Sequence, residues 1–151
     1  MADEFVSDPT RPVPFMGTTV NTMVREYMTA DQRIATQRPD VLVYSTAPLD
    51  EPVTVAGAIT VDLVVSTTGT DADWVVKLVD VFPDDAMDPS PNPARVRMGG
   101  YQALVRGEPF RGKFRTGFAS PQPFVPGRAT PVRFTMPDVN HTFGKGHRLM
   151  V

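Results

Sequence analysis

From Val53 to Ser66 the chain alternates with a period of two. Val53, Val55, Gly57, Ile59, Val61, Leu63 and Val65 take one side; Thr54, Ala56, Ala58, Thr60, Asp62, Val64 and Ser66 take the other. Successive side chains of a strand point to opposite faces, so this pattern predicts a strand, long for a single one. Ala56-Gly57-Ala58 at its middle predicts a bulge or bend where a strand crosses between sheets. The turn signal Thr68-Gly69-Thr70-Asp71 leads into a second β-branched run at residues 74–82. Shorter strands are predicted at 41–46, 94–98, 102–106, 112–116, 131–136 and 148–151. Only Val20, Met23, Val24, Tyr27 and Met28 have helical spacing, enough for a turn or two.

Sixteen prolines and 11 glycines are spread along the 151 residues and interrupt any long helix. Pro9, Pro12 and Pro14 make the opening an extended segment, and the Pro-rich stretches 82–94 and 121–127 are loops. Seven or eight short strands with frequent turns predict an all-β chain, a jelly-roll β-sandwich. The chain stops at Arg148-Leu149-Met150-Val151, inside a strand pattern, so the sandwich is expected to lack its last strands.

Composition narrows the function. At 41% hydrophobic and 21% charged, the chain can bury a core. Its 15 Lys+Arg against 17 Asp+Glu leave a net charge of −2 with no basic cluster, which argues against nucleic acid as a partner. The absence of cysteine excludes disulfides, a thiolate nucleophile and Cys-based metal centres. No apolar run nears the roughly 18 residues of a membrane span, and the start lacks a signal-peptide pattern. A soluble protein with no membrane partner is expected, either cytoplasmic or exported as part of a longer precursor.

Residues capable of catalysis are present but badly placed. None of Ser7, Ser45, Ser66, Ser90 and Ser120 lies in a Gly-x-Ser-x-Gly elbow, so His141 and His147 have no evident nucleophile to serve. Asp71, Asp73, Asp80, Asp84, Asp85 and Asp88 do not follow a calcium-loop order and fit turn chemistry better. His141 and His147 do not form a metal pair, and no cofactor or metal is expected. Trp74 with Tyr44, Tyr101 and Phe110 could form a sugar-stacking platform, but a tryptophan that opens an apolar strand is more often core. Asn140-His141-Thr142 matches a glycosylation acceptor, a pattern too short to assign.

Several motifs occur in a familiar order. They are Asp31-Gln32-Arg33, then residues 38–49 (RPDVLVYSTAPL), Val55-Ala56-Gly57, Thr70-Asp71-Ala72-Asp73-Trp74, Leu78-Val79-Asp80-Val81 and Phe143-Gly144-Lys145-Gly146-His147-Arg148. In this order they resemble the C-terminal jelly-roll domain, of galactose-binding-like fold, of the X-prolyl dipeptidyl-peptidase and cocaine esterase serine hydrolases. That family includes α-amino acid ester hydrolases and glutaryl cephalosporin acylases. The resemblance implies that residues 1–37 lead out of an α/β-hydrolase domain and that 38–151 form the jelly roll. It places the Ser-Asp-His triad in that other domain, so no catalytic residue is expected here. Asp71, Trp74, Asp80, His147 and Arg148 are the candidates for fixing the fold or its docking face, and His147 would hold the strand after a tight glycine turn. The implied partner is the α/β-hydrolase catalytic domain, with a second copy of the chain as the other candidate. The implied function is a non-catalytic domain that packs on an ester or amide hydrolase and shapes its active-site cleft. The alternative is a freestanding carbohydrate- or protein-binding module.

Overall fold

The computed structural model of the chain describes residues 2–17, 22 and 24–151. Val20 and Met23, part of the predicted helical run, lie outside them. The remainder of that run forms a 3-10 turn, Arg25–Met28, followed by a short helix α1, Arg33–Thr36.

Five strands follow: β1 (Val53–Val65), β2 (Asp73–Val81), β3 (Gln102–Arg111), β4 (Thr130–Phe143) and β5 (Arg148–Met150). They make a two-stranded sheet, β1-β4, and a three-stranded sheet in the order β3-β2-β5. The β2-β5 pair is antiparallel, with Val79 opposite Met150, Asp80 opposite Leu149 and Val81 opposite Arg148. The chain is all-β, as its alternation predicts.

Two compact units divide the chain: residues up to 54 with 78–105 and 142–151, and residues 55–77 with 106–141. In the second unit, the inward residues of β1 and β4 build the core. Val61, Phe124, Val132, Phe134 and Met136 are buried, with Ile59, Leu63, Trp74, Val76 and Phe110 packed against them. Phe110 and Phe134 stack almost parallel, their centroids 4.7 Å apart. Burying each such side chain contributes about 1.5–3 kcal/mol before chain entropy is counted. In the first unit Leu78, Val79, Leu104, Phe143 and Met150 are buried.

Two long strands carry irregularities, the first at the Ala56-Gly57-Ala58 segment where the sequence predicts one and the second at a place it does not. Gly57 in β1 has φ +104, a conformation that suits glycine. In β4 the buried positions are even-numbered up to Met136 and odd-numbered from Val139. Pro137 and Asp138 are both exposed between them, so one residue is inserted, as in a β-bulge. The freed Asp138 carbonyl accepts a bond from Arg106 Nη2 at 2.7 Å.

Some predicted strands are corrected. Residues 112–116 are not a strand: Gly112–Phe114 form a 3-10 turn closed by the Arg115 N–H on the Gly112 carbonyl, and Gly112 lies too close to the Phe124 ring to carry a side chain. Residues 94–98 form a loop. There the Asn92 side chain bonds both the N–H and the C=O of Val96, and Arg95 takes a left-handed φ of 52. Residues 41–46 contribute a single bridge, Ser45 to Met150. Backbone bonds from Tyr44 to Val151, Thr46 to Leu149 and Leu49 to His147 nonetheless run along β5. The short β5 therefore has β2 on one side and residues 44–49 on the other.

Candidate functional site

Asp80 and His147 meet in the first unit. Strand β2 presents Asp80, which is 2% exposed, and the β2-β5 register brings the residue just before β5 beside it. His147 Nδ1 donates to Asp80 Oδ1 at 2.7 Å. The imidazole lies against Phe82, with ring centroids 4.5 Å apart, and Phe82 meets Tyr101 edge-on. A Cβ on Gly144 would sit 3.0 Å from both Cδ2 and Nε2 of His147, so glycine is what lets the ring take this place. Gly146, at φ +82, closes the turn into β5. An Asp–His pair is also the acid–base half of a hydrolase triad. Among the described residues, however, no hydroxyl hydrogen-bonds His147. Arg148, next along, is exposed and donates from Nη1 to the Thr46 carbonyl at 3.0 Å, tying β5 to the 44–49 segment.

Asp31, Gln32 and Arg33 form a clasp on the start of β3. Gln32 N–H donates to Gln102 O at 3.0 Å, and Gln102 N–H donates to Asp31 Oδ1 at 3.4 Å. Arg33 bonds the carbonyls of Gly99 and Arg97, and its guanidinium is held by Asp31 at 2.5 Å. That bond raises the Arg33 pKa above its ordinary value. Gly99 is required here, because a Cβ would lie 2.4 Å from the Asp84 carbonyl oxygen. The Tyr101 hydroxyl donates to the Thr29 carbonyl, which closes the same region. Composition gave no hint of the clasp. Its sequence signal is the Asp31-Gln32-Arg33 triplet, the first of the motifs that carry the family resemblance.

Asp71 and Trp74 lie in the second unit. Asp71 Oδ1 accepts from the N–H groups of Ala72 and Lys113, and its Oδ2 lies 3.3 Å from Lys113 Nζ. Trp74 packs against the core and is not an exposed platform. Its Nε1 is buried and finds no acceptor among the described residues, at a cost of about 1–3 kcal/mol. Asp73 meets Arg111 through two parallel bonds of 2.7 and 2.9 Å, a pair that side-chain typing alone did not single out. The bond to Arg111 holds the Asp73 carboxyl below its usual range. The five candidates thus fall into two groups. Asp80, His147 and Arg148 adjoin one another in one unit, and Asp71 and Trp74 belong to the other. Among the described residues no three His, Cys, Asp or Glu side chains are placed to share a metal ion.

Antiparallel ladders, apolar cores and polar side chains spent on holding loops to strands define an all-β domain of the sandwich class. Comparison with known proteins then gives the family. The chain belongs to the X-Pro dipeptidyl-peptidase C-terminal non-catalytic domains, whose family profile matches residues 12–151. It is 36% identical over 150 residues to the cocaine esterase of Rhodococcus sp. (strain MB1 Bresler), an alignment covering 99% of this chain and 24% of the esterase. An aminopeptidase from a marine-sediment Thaumarchaeota archaeon superposes with a TM-score of 0.85 at 44% identity, covering 98% of this chain and 24% of that one. An α-amino acid ester hydrolase also gives a TM-score of 0.85, at 42% identity over 95% of this chain and 23% of the hydrolase. The chain therefore spans about a quarter of the length of these proteins.

Proposed function

We propose that this chain serves as the non-catalytic β-domain of a serine hydrolase that cleaves esters or amides. It packs on an α/β-hydrolase domain and walls the active-site cleft. The observation that carries this reading is the near-complete alignment of the chain with only a quarter of an esterase, within a family of domains described as non-catalytic. Residues 1–37 would lead out of the catalytic domain and 38–151 form the body. The clasp at Asp31–Arg33 supports that reading by fixing the end of the leading segment.

Within the domain, Asp80 and His147 hold β5 to β2, and Arg148 extends the hold to residues 44–49. Asp71 fixes the Lys113 turn, and Trp74 fills the core beneath it. These are structural tasks. A hydrogen-bonded polar pair in an apolar surrounding specifies one arrangement of strands because every alternative leaves a partner unsatisfied.

The test is hydrolysis of p-nitrophenyl acetate and of an amino acid ester by the purified chain, with and without phenylmethylsulfonyl fluoride. Turnover at the buffer rate is expected for both. Turnover abolished by the reagent would establish a nucleophilic serine in this chain and overturn the reading.

A further inference from the structure

The end of β3 and the 3-10 turn after it surround an open hollow of about 280 Å³, lined by Glu108, Pro109, Phe110, Arg111, Phe114 and Phe118. Three of these six are aromatic. Phe118 is 81% exposed, an unusual state for so large an apolar ring. Phe110 is braced from behind by its stack on Phe134, and Phe114 and Phe118 lie tilted with centroids 5.2 Å apart. The walls are therefore π faces and edges, some fixed by the core and some open to water.

The charges around the hollow do not cancel. Arg111 is occupied by Asp73 through two bonds, and Lys113, which lies 5.4 Å over the Phe114 ring, is paired with Asp71. Glu108 is half-buried and forms no hydrogen bond or ion pair with any described residue. Among the residues that line the hollow, one negative charge thus remains beside the aromatic rings. That combination attracts a cation: ring quadrupoles favour positive charge at their faces, and a partly desolvated carboxylate adds a direct partner. An anionic ligand would meet Glu108, with Arg111, the basic residue of the lining, already paired.

We propose that this hollow is a binding site for a small organic cation, a quaternary ammonium or protonated amine, held against the exposed Phe118 ring with its charge toward Glu108. The ligand's apolar substituents cover the exposed Phe118 ring, and no bond is made or broken.

The test is a titration of the ¹⁵N-labelled chain with choline and, separately, with its uncharged carbon isostere 3,3-dimethyl-1-butanol, followed by amide chemical shifts. Saturable shifts at residues 108–118 are expected with choline, and binding of the isostere should be about ten-fold weaker. Glu108→Gln should bring choline down to the level of the isostere. Phe118→Ala, at an exposed position where folding is not at risk, should weaken choline by about five-fold. Equal binding of choline and the isostere, shifts centred elsewhere, or none up to the solubility limit would each overturn the proposal.

Discussion

Strand β2 carries an aspartate in each unit, and the two are used differently. Asp80 is 2% exposed and receives its bond from His147, while the Asp73 side chain is 51% exposed and meets Arg111 in a fork. In the Asp73 pair, water can replace either partner, and salt screens what attraction remains. In the Asp80 pair, losing the carboxylate leaves His147 Nδ1 without its acceptor in a place water reaches poorly. Similar sequence chemistry, an Asp on a strand bonded to a basic side chain, therefore gives unequal stakes. Burial, more than pairing, sets the difference.

The largest effect expected is from Asp80→Ala. Removing the carboxylate leaves His147 Nδ1 without its acceptor and opens a small gap beside the imidazole. Urea unfolding should show a loss of about 3 kcal/mol. A loss below about 1 kcal/mol would make the pair incidental and erase the contrast with Asp73.

Gly112→Ala comes next. Its Cβ would lie 2.4 and 2.5 Å from two carbons of the Phe124 ring, which is buried and has little room to move. Overpacking of this kind should cost about 2 kcal/mol. Trp74, the single tryptophan, lies at the same contact and should report the change as a shift in fluorescence maximum.

The smallest effect is Asp73→Asn, and its signature is conditional. Because Arg111 lowers the Asp73 pKa in the folded state, the pair stabilises above the unfolded value of about 4. Its contribution disappears as pH falls through the lower folded value. The gap in melting temperature between wild type and Asp73→Asn should thus be small at pH 7, close on acidification below about pH 4, and shrink in about 1 M salt. A gap that survives both treatments would mean Asp73 acts by packing.

The sequence showed the strands better than their ends. Alternation from Val53 to Val65 is clear because the odd-numbered side chains from Ile59 to Val65 face the core while their even-numbered neighbours are exposed, and a one-residue slip would reverse the two. The prediction for β3 stops at Arg106, short of Gly107 and Pro109, which weaken a strand, yet the strand runs to Arg111. The prediction for β4 stopped at Met136, because the bulge at Pro137 and Asp138 shifts the buried positions by one and hides the period. Residues 94–98 read as a strand from composition, but the Asn92 side chain supplies the local bonds a neighbouring strand would have given.

Of the polar arrangements, family motifs flagged Asp80 and His147 separately, 67 residues apart, but only the β2-β5 register joins them. The Glu108 hollow had no signal in the sequence. It depends on two basic residues being already paired, which is a property of three dimensions.

The central claim is that the paired acids and bases of this domain hold strands together and perform no hydrolysis. It is tested most directly with His147→Ala, measured in parallel for its urea midpoint and for p-nitrophenyl acetate turnover against wild type. The account predicts a clearly lowered midpoint for the variant and turnover at the buffer rate for both proteins. Turnover by the wild type above the buffer rate, lost in the variant while the midpoint stays unchanged, would contradict it.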